Sequence, residues 1–393
     1  MIRTAFAATR PVLCKSATTT TTSAATTPTT KVPGSFRLVR ERFARQAPKV
    51  IFDTLSPTPS HLLDLALLPH LPPDVSRSTY KDAAQLQHPF ALPDHRAAGG
   101  PLILPQGHHL VYFPLQEPAS SLLPDGTDAS QAPGGIYTRR MWAGGSLKFA
   151  DTYADAFRLD GRRVCCVEVF DKERESAHHD PHFYLTVRRR YGLVDPSRGP
   201  DADLSTAEAL RFGEKGAILV EETRKLVFLN DTIPSSRPKN DAFCYKHSGR
   251  NPPMALTFTV KPDRTLLFHF SALSYNAHAI HFDPEYARLV EGYKAPLVHG
   301  PLSLVLIMSA LRAVCRSDSP YVTLDTKRQK SVVYIKSVDY RNISPLYVDE
   351  ELTLFLRRLG PRKGDEEHWL FRIEAPGRRV AVRGSAVLDT VSA

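Results

Sequence analysis

Short runs in which apolar and polar positions alternate recur along most of the chain, interrupted by one stretch that is apolar all round. Runs at 163–170, 182–190 and 217–229, and again at 254–260, 265–270, 331–340, 352–357, 369–375 and 380–388, carry β-branched and aromatic residues with partial period-two patterning and predict strands. The short run 109–113 predicts one more. The exception is 302–314, whose only polar residues are Ser303, Ser309 and Arg312. It predicts a helix buried on nearly every face, opened by Pro301. Shorter helices are predicted at 59–69, capped by Ser60, and at 283–293, where an N-cap Asp283 precedes Pro284. A helix with no polar face needs cover on all sides, and antiparallel strands are the elements available to wrap it. The class is α+β. The strands fall into two clusters, separated by a polar stretch at 230–253, and predict two units sharing one continuous sheet.

At 393 residues the chain is long enough for two domains of ordinary size. The expected division is 1–45 as a leader and disordered N-terminus, 46–240 as a first unit and 241–393 as a second. The net charge is +10, but residues 1–40 hold six basic residues and no acid, and the remainder carries only +4. That mild excess suits phosphate-bearing or acidic partners, and no basic run or aromatic motif calls for nucleic acid. Arg3, Arg10, the hydroxyl-rich run from Thr18 to Ser23 and the lack of acids give the leader the composition of a mitochondrial transit peptide, which places the protein in the matrix. No apolar run approaches the ~20 residues of a membrane span.

The five cysteines show no CxxC spacing, and Cys165 and Cys166 would face opposite sides of a strand, so neither zinc nor disulfides are expected. His178, His179, Asp180 and His182 have metal-ligand types, but their place between two strands predicts a hairpin loop. Polar chemistry concentrates instead before the apolar helix. Asn276, His278, His281 and Asp283 crowd one loop, and Val298-His299-Gly300-Pro301 opens the helix. Farther upstream, Trp142 with Gly144 and Gly145 forms either a substrate-lining turn or a tight packing point.

The stretch 270–283 resembles the hydratase motif of the MaoC-like hot-dog dehydratases, in which Asp, any residue, Asn-Pro, an apolar residue, His, any residue and Asp follow in order. Tyr275-Asn-Ala-His-Ala-Ile-His-Phe-Asp283 and Leu297-Val-His-Gly-Pro-Leu302 are similar to a branch containing fungal mitochondrial type 2 hydroxyacyl-thioester dehydratases and mesaconyl-CoA hydratase-like proteins. Arg139-Arg-Met-Trp-Ala-Gly-Gly-Ser-Leu147 and Val338-Asp-Tyr-Arg-Asn342 fit the same branch. The resemblance implies a double hot-dog fold, with a long antiparallel sheet around central helices. It implies dehydration of (R)-3-hydroxyacyl thioesters, carried on coenzyme A or acyl carrier protein, without metal or redox cofactor, in a possible homodimer. His281 takes the catalytic histidine position, Asn276 that of the catalytic aspartate, His278 that of the asparagine and Asp283 the closing acid. Gly300 would donate its N–H to the thioester oxygen, with His299, Tyr275, Trp142, Gly144 and Gly145 lining the substrate. An amide cannot exchange a proton as a carboxylate does, so Asn276 shifts the acid/base burden to His281. Two alternatives stay open. One is a hydratase of short dicarboxylic acyl-CoA, for which Arg139 or Arg140 would bind the second carboxylate. The other is a non-catalytic acyl-binding subunit.

Overall fold

The structure, a computed structural model, describes residues 35–76, 102–175, 182–230, 256–315, 331–360, 364 and 366–392. Ten strands form one antiparallel sheet: β1 Lys49–Thr54, β2 Tyr137–Phe149, β3 Arg163–Glu175, β4 Phe183–Leu193, β5 Val220–Asn230, β6 Leu256–Val260, β7 Ser331–Asn342, β8 Leu352–Arg358, β9 Glu367–Ala375 and β10 Arg379–Ser392. Their order is β1-β3-β4-β5-β2-β7-β10-β9-β8-β6. Read inward from either edge, the order is the same: first, third, fourth, fifth and second strand of its half. The halves are therefore equivalent in topology. They meet where residues 144–148 of β2 pair with 337–341 of β7.

The longer helices are α1 Ser35–Arg45, α2 Pro57–Leu67, α3 Ala202–Phe212, α4 Arg264–Leu273 and α5 Gly300–Cys315. In α5 every residue from Leu302 to Val314 is buried, as its all-round apolar surface demands. It packs on β2, β7 and β8, and one continuous core runs from Ile51 to Leu388. Its one charged residue, Arg312, is answered by Ser309 Oγ at 3.0 Å, by the Gln106 carbonyl and by His108. Helix α3 covers the other face of β3. Cys165 packs toward it while Cys166 packs into the main core, and both thiols are free.

Several local expectations change. The stretch 109–113 is not a strand: His108–Val111 is a 3-10 turn against α5. Gly107 makes the approach possible, since a Cβ there would lie 2.8 Å from Met308 Cβ. The stretch 265–270 is not a strand but part of α4. Asp263 caps it by accepting from Leu266 N at 2.7 Å, and its buried residues Leu266, Leu267, Phe270 and Ser271 follow helical spacing. The turn considered at 142–145 is instead the middle of β2, with a bulge between Trp142 and Gly144. The helix expected at 283–293 is a single π-helical turn, Tyr286–Val290. Helix α2 starts at Pro57 after Ser56, not at Ser60. Within the leader expected at 1–45, residues 35–45 form α1. Phe43 anchors it against Phe170 and Phe183, with ring centroids 4.9 and 5.8 Å away. The transit-peptide residues 1–34, the linker 231–253 and the His178, His179 and Asp180 group lie outside the described residues. Among the described residues, no helix is long and apolar enough to cross a membrane.

Candidate active site

The site is built on the turn that leaves α4. Its last amides fold back, with Ser274, Tyr275 and Asn276 N–H donating to Phe270, Ala272 and Ser271 carbonyls. The reversal puts Tyr275 at φ +51°, the left-handed region where helices usually place glycine. Asn276 Oδ1 then accepts from His278 N at 3.1 Å and braces the loop. A 3-10 turn, Ala279–His281, carries the two histidines inward. Asp283 closes the loop by accepting from Glu285 and Tyr286 N–H at 2.9 and 3.0 Å.

His281 is held by its own backbone environment. Its Nδ1 lies 2.8 Å from the Leu297 carbonyl. A carbonyl can only accept, so Nδ1 carries the proton and Nε2 keeps its lone pair. Burial lowers the His281 pKa to about 4, which keeps that lone pair available at neutral pH. The ring lies flat on His299, centroids 3.7 Å apart and planes 20° from parallel. His299 is fully buried, its Nε2 2.8 Å from Ser271 Oγ, and serves as a shelf behind His281. His278 stands edge-on to His281 at 5.5 Å.

A carboxylate reaches this group from the other half of the molecule. The Asp125 carbonyl accepts from Ala279 N at 2.9 Å, and its Oδ2 lies 3.6 Å from His278 Nε2. Its Oδ1 is fixed by Thr127 N and Oγ at 2.9 and 2.7 Å. Gly126 permits the docking, because a Cβ there would lie 1.9 Å from the Ala277 carbonyl oxygen. Burial first, then the repulsion a protonated His281 would add and the positive charge of Arg140, keep His278 well below its ordinary pKa. At neutral pH the pair is thus an imidazole facing a carboxylate rather than a salt bridge.

Gly300 heads α5, so its N–H has no partner within the helix. A Cβ on Gly300 would lie 3.1 Å from Trp142 Cβ and from Asn342 Nδ2. Trp142 is pinned by Nε1 donating to Tyr340 Oη and by its carbonyl accepting from Asn342 Nδ2, each at 2.8 Å. The Arg224 guanidinium lies over its ring at 5.0 Å and pairs with buried Glu222 at 2.7 and 2.9 Å. Arg139 is drawn to Glu291 at 2.6 Å. Arg140 donates to Gln131 Oε1 at 3.2 Å.

Of the expected site residues, His281, His278, His299 and Gly300 come together, with Trp142 beside Gly300 and Asn276 bracing the loop. Asp283 is occupied as a turn cap. Tyr275 is largely exposed. Gly144 and Gly145 crowd the strands instead, since a Cβ on either would lie 2.3 Å from the Tyr340 carbonyl oxygen or 2.0 Å from that of Thr223. That is the packing role. Asp125 was not foreseen, and neither were the parts played by Tyr340 and Asn342. An Asp-Gly turn in an irregular stretch carries no sign of the loop it will meet. Among the described residues no cluster of three or more metal-ligating side chains occurs.

The sequence model of the hydroxyacyl-thioester dehydratase type 2 family matches residues 107–348. The chain belongs to this family, whose MaoC-like hot-dog fold it has, and it is a hydro-lyase. It is similar to the mesaconyl-C(4)-CoA hydratase of Chloroflexus aurantiacus, 31% identical over 240 residues that cover 58% of this chain and 70% of the relative. It is also similar to the mitochondrial hydroxyacyl-thioester dehydratase type 2 of Schizosaccharomyces pombe, 24% identical over 264 residues that cover 65% and 79%. A solved MaoC-like dehydratase superposes with a TM-score of 0.50 at 12% identity, covering 86% of this chain and 97% of the other.

Proposed function

We propose that the chain interconverts (R)-3-hydroxyacyl and trans-2-enoyl thioesters, with His281 as the proton-transferring residue. The observation that carries this is the fixed tautomer: Nδ1 bound to the Leu297 carbonyl leaves Nε2 a base beside the first turn of α5. In the dehydration direction Nε2 removes the proton next to the thioester carbonyl. The negative charge developing on the thioester oxygen is met by the Gly300 N–H at the positive end of α5. The C3–O bond breaks, and the departing hydroxyl takes up a proton and leaves as water. His281, protonated in the first step, can return it, and His278 oriented by Asp125 is the second group within reach. Hydration runs the same steps backward. Asn276 contributes the shape of the loop rather than a proton.

The acid-free N-terminal composition and the name of the S. pombe relative support a place in the mitochondrial matrix and a hydroxyacyl thioester as substrate, which we assign to fatty-acid synthesis on acyl carrier protein or coenzyme A. Arg140 favours a second reading, a short dicarboxylic acyl-CoA. The deciding test is loss of enoyl-thioester absorbance with crotonyl, decenoyl and mesaconyl thioesters, wild type beside His281→Ala. Turnover that falls by about 10² to 10⁴ in the variant is expected for a lost general base. No turnover of any thioester by the wild type overturns the proposal.

A further inference from the structure

Arginines crowd the sheet next to the site, and nearly all of them are answered by an acid. Arg139 meets Glu291 at 2.6 Å, Arg189 meets Glu168 at 2.8 Å, and Arg224 meets Glu222 at 2.7 Å. Arg140 differs. Among the described residues no carboxylate comes within ion-pair distance of it, and its one side-chain hydrogen bond goes to the neutral amide oxygen of Gln131 at 3.2 Å. Gln131 cannot turn toward it further, because its own amide nitrogen is committed to Glu168 at 3.0 Å.

The strand register says which way Arg140 points. Arg140 lies opposite Phe228 and Trp142 opposite Leu226, both of them buried. Cross-strand partners share a face, so Arg140 and Trp142 project to the same interior side, about 7 Å apart along β2. Trp142 abuts Gly300, the amide assigned to the thioester oxygen. Arg140 is close enough to depress the proton affinity of both His278 and His281. It is only partly exposed, and burial opposes its charge. Asp125, Asp128 and Glu168 lie near enough to favour its charge, but none hydrogen-bonds to it, and a desolvated guanidinium with four donors uncommitted is costly unless something anionic completes it.

We infer that Arg140 is the receptor for a carboxylate borne by the acyl chain at or next to C3, so that the substrate class is a short dicarboxylic thioester. A carboxylate there would accept a two-point hydrogen bond from the guanidinium while the thioester oxygen rests at Gly300. The phosphates of a coenzyme A carrier lie a pantetheine arm away from the reacting carbons and do not compete for this position. The inference rests on the hydratase reading of the same site.

The test compares mesaconyl-C4-CoA with crotonyl-CoA, which lacks the carboxylate, in wild type and Arg140→Gln. The wild type should favour the carboxylated thioester, and the ratio of the two kcat/KM values should fall on the order of 10²-fold in the variant, the worth of a charge-assisted bidentate contact. Binding needs no variant: to the wild type, succinyl-CoA should bind at least about 10-fold more tightly than butyryl-CoA. Equal affinities, or a kcat/KM ratio that Arg140→Gln leaves unchanged, overturn the assignment. Turnover of crotonyl-CoA without preference for the carboxylated thioester overturns Arg140's role alone. Turnover of neither overturns the hydratase reading with it.

Discussion

His281 and His299 lie ring on ring, their centroids 3.7 Å apart. Two imidazoles so placed and so buried resist protonation, because a first charge would face no solvent and a second would face the first. Burial lowers His299 well below its ordinary value and His281 to about 4. An unfolded histidine titrates near 6.5 and binds more protons than the folded one between those values, so stability rises with pH across that window. The contribution is complete above about pH 6.5 and is lost as the pH falls toward 4. His281 alone accounts for about 3 kcal/mol by this linkage. Urea midpoints at pH 7.5 and 5 should show the fall, while kcat/KM should lack an inflection near 6.5. A flat midpoint would contradict the buried neutral stack.

Asp125 approaches His278 across the two halves of the molecule, with 3.6 Å between Oδ2 and Nε2. Asp125→Asn keeps the shape and the acceptor for Thr127 but removes the charge. The fold should survive, and kcat should fall by roughly 10-fold or more if His278 shares in proton transfer. Asp125→Ala should in addition cost about 1 to 3 kcal/mol, because the Thr127 amide and hydroxyl lose a buried acceptor. Steady-state kinetics beside thermal melts separate the two effects. Unchanged kcat in Asp125→Asn would confine Asp125 to holding the loop.

How much of this was legible beforehand differs from feature to feature. The all-round apolar run at 302–314 and the alternating runs after 331 describe their elements well, because burial on every face or on one face leaves a periodic mark. His281 and Gly300 could be singled out as candidates because each sits in its own short local pattern, 275–283 and 297–302. Residues 265–270 misled because leucine and phenylalanine serve either element, and the Asp263 cap decided for a helix. Asp125, Tyr340 and Asn342 reach the site through pairing between distant segments, which no local pattern encodes. Arg139 and Arg140 are adjacent in sequence, and only the partner each meets separates a structural ion pair from an uncommitted charge.

Glu222 anchors the layer beneath Trp142. It is almost fully buried, holds Arg224 with two bonds and accepts from the Tyr191 hydroxyl. Neighbouring Arg224 and Arg189 hold its carboxyl down to about 2 despite burial. Glu222→Ala would strand Arg224 without its acid and should cost about 3 to 5 kcal/mol. Freed from Glu222, Arg224 would also lose its place over the Trp142 ring, so activity should fall at temperatures where the variant is still folded. Chemical denaturation and assays at low temperature check both. A loss under about 1 kcal/mol would mean that water replaces Glu222 around Arg224.

Tyr275 combines two costs at one position. Its φ of +51° is a strained conformation for a tyrosine, and 58% of its surface is exposed. Glycine at the corresponding helix C-terminal position relieves such strain, and little burial is lost with a side chain that faces outward. Against this stands the greater freedom of glycine in the unfolded chain. The net expectation for Tyr275→Gly is a gain of roughly 0.5 kcal/mol, read as a higher melting temperature. Strain kept at a loop next to Asn276 and His278 argues that the side chain serves the substrate. The same variant should therefore raise KM several-fold with kcat less affected, as expected for a contact made equally before and during the reaction. A more stable protein with unchanged KM would leave the strain without a functional return. A less stable one would show that the ring, lying beside Pro114 and Leu115, holds the loop in place.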